Sequence, residues 1–375
     1  MFILIRTKKG CPIMTNKFIN SIKLVIEKNL FLNDMIKSIV AFSYNRKMYS
    51  FVNECSNIDS IADFSSFAEY MKKIPANLKG YCYTIKRAFS ENFLYGYATS
   101  FMKYANIENE SMLYLPLLEH GIYLSKDINT QRYKMASSYI FQGKSNESIW
   151  KHRKDFRPIY YIGPYIHYAN GYYSQEKIET IKKNKILLVF PPHSSEFDSM
   201  TFSFDDFNEF LLNKIGNNYD SIYACIYCQN TQDSYTKYLQ SNGVRLVSAG
   251  FKLDPLFVCR LKTILEMSDT VLYPSFSSSI GYSYYLGKKI IYLDNESLIK
   301  WSSNHDSNRV QSVYKAYNSV KDAFTRLFSA NAPSKTEEKY RLINHYWGLD
   351  QIKTPEELRN IYYENKNYIL KHLGF

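Results

Sequence analysis

The chain has no uninterrupted apolar stretch of about 18 residues, which excludes a transmembrane helix of ordinary length. Its opening, Met1-Phe2-Ile3-Leu4-Ile5, is too short for the core of a signal peptide and has no basic segment before it, so the expected location is the cytoplasm. Cysteine is sparse. The six residues at 11, 55, 82, 225, 228 and 259 are scattered, unlike a disulfide framework. Cys225 and Cys228 form one CxxC inside an apolar run with no second pair; on a strand their thiols would face opposite ways, and both read as core. No Asp-x-Asp and no convincing ligand cluster occurs, so no metal is expected. The densest basic run, Trp150-Lys151-His152-Arg153-Lys154, is too short to suggest a nucleic-acid partner.

What is present is a long, well-filled chain. Its 375 residues are 45% hydrophobic, enough for two α/β domains with their own cores. The balance of 47 Lys and Arg against 35 Asp and Glu gives a net charge of +12, suited to a phosphorylated substrate or to an anionic membrane surface. The 35 tyrosines are spread along the whole chain and form no base-stacking platform.

The second half alternates strand and helix patterns. Strands are expected at Lys185–Phe190, Ser221–Tyr227, Arg245–Ser248, Thr270–Tyr273 and Lys289–Leu293. Helices are expected at Phe204–Ile215, Thr231–Ser241 (stopped by Asn242-Gly243), Leu256–Met267 (with Asp254-Pro255 as N-cap and first residue) and Gly281–Leu286. This is a parallel, Rossmann-like sheet. In the first half, helices are expected at Phe18–Phe42, Ile58–Met71, Thr84–Ala105 and Ser145–Lys154, with strands at Met112–Leu117, Ser138–Phe141 and Pro158–Ile162. Residues 1–173 then form an N-terminal domain, 174–184 a polar linker, 185–330 the C-terminal domain, and 331–375 helices that pack back across both.

Two kinds of turn carry the chemistry. Pro191-Pro192-His193-Ser194-Ser195 follows the first strand of the second domain, and Ser277-Ser278-Ser279-Ile280-Gly281-Tyr282 follows the fourth. Ligands of an open parallel sheet bind at the carboxyl ends of its strands, where hydroxyls and backbone N–H groups can hold a phosphate. His193 would offset charge as a leaving group departs. The ordinary alternative is that these serines only cap their turns. In the first domain Glu119-His120-Gly121 sits at a strand end. An imidazole with a pKa of about 6.5 suits removal of a proton from an acceptor hydroxyl, with Glu119 either orienting it or acting as the base itself. A lone His-Gly is also compatible with a plain core or surface histidine. Arg260, in an otherwise apolar helix, needs a partner: a donor phosphate, or Asp254 or Asp269.

The order of these motifs resembles a group of bacterial GT-B glycosyltransferases from capsule and O-antigen biosynthesis. It includes polysialyltransferases, Kdo transferases and CDP-glycerol glycerophosphotransferases. Tyr161–Ala169, Arg260-Leu261-Lys262 and Ser279-Ile280-Gly281-Tyr282 carry the wider likeness, over about residues 110 to 295. The His-Pro of the sialyl and Kdo enzymes reads His193-Ser194 here. The resemblance implies two Rossmann-like domains facing a cleft, and transfer of a sugar without metal or resident cofactor, the nucleotide sugar being a co-substrate. It makes His120 the candidate catalytic base, with Glu119 kept as the alternative that the turn itself offers. His193, Ser194, Ser195, Arg260, Ser277, Ser278, Ser279, Gly281 and Tyr282 would bind the donor. A CMP-linked nonulosonate or Kdo-type sugar is the favoured donor, a UDP- or dTDP-hexose the runner-up. The acceptor would be a lipid-linked or oligosaccharide glycan, met at the inner face of the plasma membrane. A sugar-nucleotide epimerase of the same two-domain shape is a rival from another enzyme class. A basic glycan- or nucleic-acid-binding protein is the non-enzymatic rival.

Overall fold

A computed structural model describes residues 53–72, 92–124, 137–147, 157–191, 198–202, 207–293, 299–303, 318–332 and 336–373, less some positions inside these ranges. The chain divides into Met1–Ser50 and a compact unit, Phe51–Phe375, which contains everything below. The helices expected at Phe18–Phe42 and Ser145–Lys154 therefore lie wholly or largely outside the described residues, as does most of Phe204–Ile215.

Helices α1 (Phe64–Lys72) and α2 (Tyr97–Tyr104) precede a parallel sheet of β1 (Leu117–Leu118), β2 (Tyr139–Phe141) and β3 (Ile159–Tyr161). The helix expected from Ile58 begins only at Phe64. Residues 58–63 turn because Ser60 exchanges hydrogen bonds with the backbone of Ser248, and because Arg260 claims the Ile58 carbonyl. The strand expected over Met112–Leu117 shrinks to β1, behind a single 3-10 turn at Met112–Tyr114. The polar stretch expected as a linker holds α3 (Gln175–Ile181), capped by the Ser174 hydroxyl on the Lys177 N–H. It buries only Ile178, so its composition looks like that of a connection.

The second sheet reads as expected. It comprises β4 (Ile186–Val189), β6 (Ser221–Cys225), β7 (Arg245–Val247), β8 (Thr270–Tyr273) and β9 (Lys289–Tyr292), all parallel, in the order β7-β6-β4-β8-β9. β5 (Asp198–Phe202) instead pairs antiparallel with β10 (Ile299–Ser303). Helices α4 (Ser234–Ser241), α5 (Phe257–Met267) and α6 (Ser279–Tyr285) supply the crossovers of the main sheet. Central strand β4 is buried along its whole length, because Leu187 and Val189 enter one apolar cluster and Leu188 enters another on the opposite face. The Leu188 cluster also contains Leu118, Ile140 and Tyr165 from the first half, so the two sheets share one core. β6 ends at Cys225, which leaves Cys228 in the following 3-10 turn and separates the CxxC pair by backbone conformation.

The carboxyl-terminal part is helical: a stretch at 320–328 (α7), α8 (Thr336–Trp347) and α9 (Pro355–Leu373). Thr354 and Glu357 cap α9 reciprocally, side chain to backbone N–H in both directions. α9 packs on the first half, where Arg359 and Asn365 donate to the carbonyls of Ala105 and Tyr114. α8 ends against α6 of the second half.

Asp254-Pro255 does not open a helix as expected. α5 starts at Phe257, and its N-cap residue, Leu256, has no side-chain cap. Asp254 accepts the Leu256 N–H through Oδ1, while its Oδ2 holds Arg260 Nη1 at 2.6 Å. Arg260 is wholly buried, and its Nη2 donates to the carbonyls of Cys55, Ser56 and Ile58. Removing one member of such a pair strands a buried charge, so Asp254→Ala should destabilise by about 3–5 kcal/mol in denaturant unfolding. The double replacement Asp254→Leu/Arg260→Met should recover part of that loss. Equal stability of Asp254→Ala and the parent would contradict the anchoring role.

Candidate active site

In the second sheet the chain builds outward from β4 to one side (β6, β7), then returns to the other (β8, β9), so the switch point lies between β4 and β8. Phe190, just past β4, donates its N–H to Leu272 and stacks on Tyr273 at 5.1 Å, so the two strand ends leave the sheet side by side. The chain after β8 is the serine-rich turn. The chain after β4 is the Pro-Pro-His-Ser-Ser loop, of which His193, Ser194 and Ser195 lie outside the described residues.

The serines of the turn have different surroundings. Ser277 accepts the Ser279 N–H, and the two hydroxyls lie 2.8 Å apart, so this pair stabilises the turn itself. Ser279 is buried. Ser278 is half-buried and accepts the backbone N–H of Ile122 at 3.2 Å. Ile122 belongs to the His120-Gly121 turn at the carboxyl end of β1. The two motifs selected from opposite halves of the sequence therefore meet. A Cβ on Gly121 would stand 3.5 Å from Ser278 Oγ, an ordinary contact, so Ser278 does not require glycine there.

His120 is half-buried, and its ring lies parallel to that of Tyr95, centroids 5.9 Å apart. Tyr95 has a left-handed backbone (φ 59°), sparsely populated by aromatic residues and found more often at functional sites than elsewhere. Asn92, which sequence reasoning passed over, pins the outer edge of β1: its side chain donates to the Pro116 carbonyl and accepts the Leu118 N–H. No local pattern marks an asparagine for that role. Glu119 makes a contact within the first sheet. It is buried, and its Oε2 accepts the Gln142 N–H at the end of β2, which ties β1 to β2 and does not suit it to act as an exposed base.

Three residues expected to contact the donor have partners within the chain. Arg260 holds the 55–58 segment as described. Gly281 faces the Trp347 indole, where a Cβ would fall inside the ring system. Tyr282 is buried, its hydroxyl on that of Tyr97, and burial holds its own pKa well above the ordinary tyrosine value. Among the described residues no three His, Cys, Asp or Glu side chains gather as a metal site would need. A cavity of about 570 Å³ opens at edge strand β7, lined by Phe64, Tyr173, Lys177, Tyr223 and Arg245 among others, away from both turns.

A second histidine joins the halves nearby. His167 Nδ1 lies 2.6 Å from the Tyr285 hydroxyl on α6, and Nε2 lies 3.3 Å from that of Tyr104 on α2. Burial, and then the charge of Lys262, hold its pKa below the usual 6.5.

No protein-family model matches this chain, and no curated protein matches it. Solved structures with a related outline include Phytolacca americana UGT2 bound to UDP-2-fluoro-glucose and pterostilbene, at 12% identity over 63% of this chain and 50% of that one (TM-score 0.29). Medicago truncatula UGT71G1 bound to UDP-glucose aligns at 10% identity over 64% and 55% (TM-score 0.31). S. aureus MnaA bound to UDP aligns at 10% over 74% and 79% (TM-score 0.33). The chain thus spans about half the length of the two plant proteins. Overlaps this slight carry no functional argument.

The depressed pKa of His167 makes folding stability sensitive to acid. Its folded pKa is depressed, so between that value and about 6.5 the unfolded chain binds the extra proton and stability falls as pH falls. His167→Asn should flatten the decline in melting temperature between about pH 7 and pH 5. An unchanged slope would show that His167 does not couple to folding.

Proposed function

We propose that the protein is a GT-B glycosyltransferase that binds a nucleotide sugar in its second half and an acceptor glycan in its first. The observation that supports this is the meeting of the His120-Gly121 turn with Ser278 at the carboxyl ends of two parallel sheets. A base on one side and an N–H- and hydroxyl-bearing turn on the other suit one reaction. An acceptor hydroxyl oxygen attacks the anomeric carbon, His120 takes the hydroxyl proton, and the bond from that carbon to the phosphate oxygen breaks. The leaving nucleotide would be met by Ser278, His193 and the serines beside it, in a metal-independent reaction. A UDP- or dTDP-linked hexose now ranks ahead of a CMP-linked acidic sugar. The His-Pro of the sialyl and Kdo enzymes reads His193-Ser194 in this chain, which weakens the case for their CMP-linked donors.

The acceptor is proposed to be a lipid-linked or oligosaccharide glycan of a bacterial surface polysaccharide. Among the described residues no helix is long and apolar enough to cross a membrane, while the net charge of +12 suits attraction to an anionic one. The expected site of action is the cytoplasmic face of the plasma membrane.

The decisive assay is release of nucleotide from a panel of UDP-, dTDP- and CMP-sugars, with and without glycan acceptors. Acceptor-dependent release of UDP or dTDP supports the proposal. Conversion of the sugar nucleotide without acceptor would point to an epimerase, and binding without turnover to a lectin-like protein. General-base catalysis contributes about 10²–10⁴-fold, so His120→Ala should lower turnover by that factor and leave nucleotide affinity, measured by calorimetry, within about twofold. Full activity of His120→Ala would remove it from the chemistry.

A further inference from the structure

The carboxyl end of α8 makes an unusually close corner. Trp347 is fully buried, its ring lies against Gly281 of α6, and its Nε1–H donates to the Ser278 carbonyl at 2.9 Å. The next residue, Gly348, has a left-handed backbone (φ 61°), and a Cβ there would overlap the Gln142 carbonyl just past β2. A Cβ on neighbouring Gly143 would in turn meet the Tyr346 carbonyl at 2.6 Å. One corner of the carboxyl-terminal helices thus touches backbone at the end of β2 in the first sheet and at the serine turn after β8 in the second. Ser278 is held from two sides: its carbonyl by the indole of Trp347, its hydroxyl by the N–H of Ile122.

We propose that Trp347 is a positioning residue for the candidate site, which fixes Ser278 at the height where it receives the His120-Gly121-Ile122 turn. The inference rests on the proposed site, but it can be tested without activity. Packing alone does not account for the contact. Phe324 and Phe276 fill the same cluster around Trp347, but a phenyl ring has no hydrogen to donate to the Ser278 carbonyl. The indole N–H adds direction, because it donates to the carbonyl of the N-cap residue of α6, whose hydroxyl meets Ile122. Without that donor Ser278 loses one of the contacts that fix it, and the hydroxyl that meets Ile122 is held less firmly.

The test compares Trp347→Phe, which keeps an aromatic ring and loses the N–H, with Phe324→Leu, which disturbs the same core and leaves Ser278 untouched. Trp347 replaced site-specifically by benzothienylalanine, whose ring has the same shape with sulfur in place of N–H, covers the case in which Phe does not fold. Hydrogen–deuterium exchange over 117–122 should accelerate by about tenfold in the two Trp347 variants, and not in Phe324→Leu at matched melting temperature. In the transferase assay, the Trp347 variants should lose about tenfold in kcat with KM for the acceptor nearly unchanged. Equal exchange and equal kcat in Trp347 and Phe324 variants of equal stability would overturn the proposal and leave Trp347 as core packing. If exchange responds but no sugar transfer is found with any donor, positioning stands and the proposed function fails.

Discussion

The hydrogen bond from the Ile122 N–H to Ser278 Oγ is the contact on which the proposed chemistry depends, because it joins the carboxyl edges of two separate parallel sheets. Neither edge is a site alone. The first offers an imidazole stacked on a strained tyrosine, and the second a turn whose outer serines bond to each other. Only their apposition would set the proposed base across from a group suited to a phosphate oxygen. The apposition is not made by that bond alone, which in isolation contributes about 1 kcal/mol. It is held by the apolar cluster common to both sheets, and by the corner at Trp347-Gly348 that lies against each of them.

A buried polar layer lies directly behind the site. Glu119, Tyr97, Tyr165 and Tyr282 are all below the surface; the Tyr282 hydroxyl donates to that of Tyr97, and the Tyr165 hydroxyl to the Ile140 carbonyl. Burial is the leading reason that Tyr97 is pushed up to about 12, with the charge of Glu119 acting in the same direction. Such a layer is costly unless its groups are paired, and fixed pairing gives β1 and β2 one register. His120 thus projects from a rigid base. Its position follows from Asn92 on the outer edge of β1 and from Glu119 on the inner one.

The second sheet was readable because its central strands β4 and β8 are buried on both faces and so appear as continuous apolar runs such as Ile186–Val189. The first was harder to read, since strands of two or three residues carry too little pattern to separate from a 3-10 turn such as Met112–Tyr114. Asp254-Pro255 looked like a helix start because the same two residues suit a turn, and only the tertiary partner Arg260 distinguishes the cases. The His-Gly and serine motifs were visible as turn chemistry, and so was their position at strand ends. Their contact was not, because no local rule relates Ile122 to Ser278. Gly281, expected among the donor contacts, has a packing role that no local pattern announces: its missing side chain makes room for Trp347.

The account reduces to the claim that one nucleotide sugar lies across both turns. The most direct measurement is a crystal structure of the protein with a UDP- or dTDP-hexose bound. The account predicts the phosphates within hydrogen-bond distance of the Ser277–Ser279 turn and the anomeric carbon facing His120. A nucleotide seated elsewhere, for example in the cavity beside β7 between Tyr173 and Arg245, would contradict it.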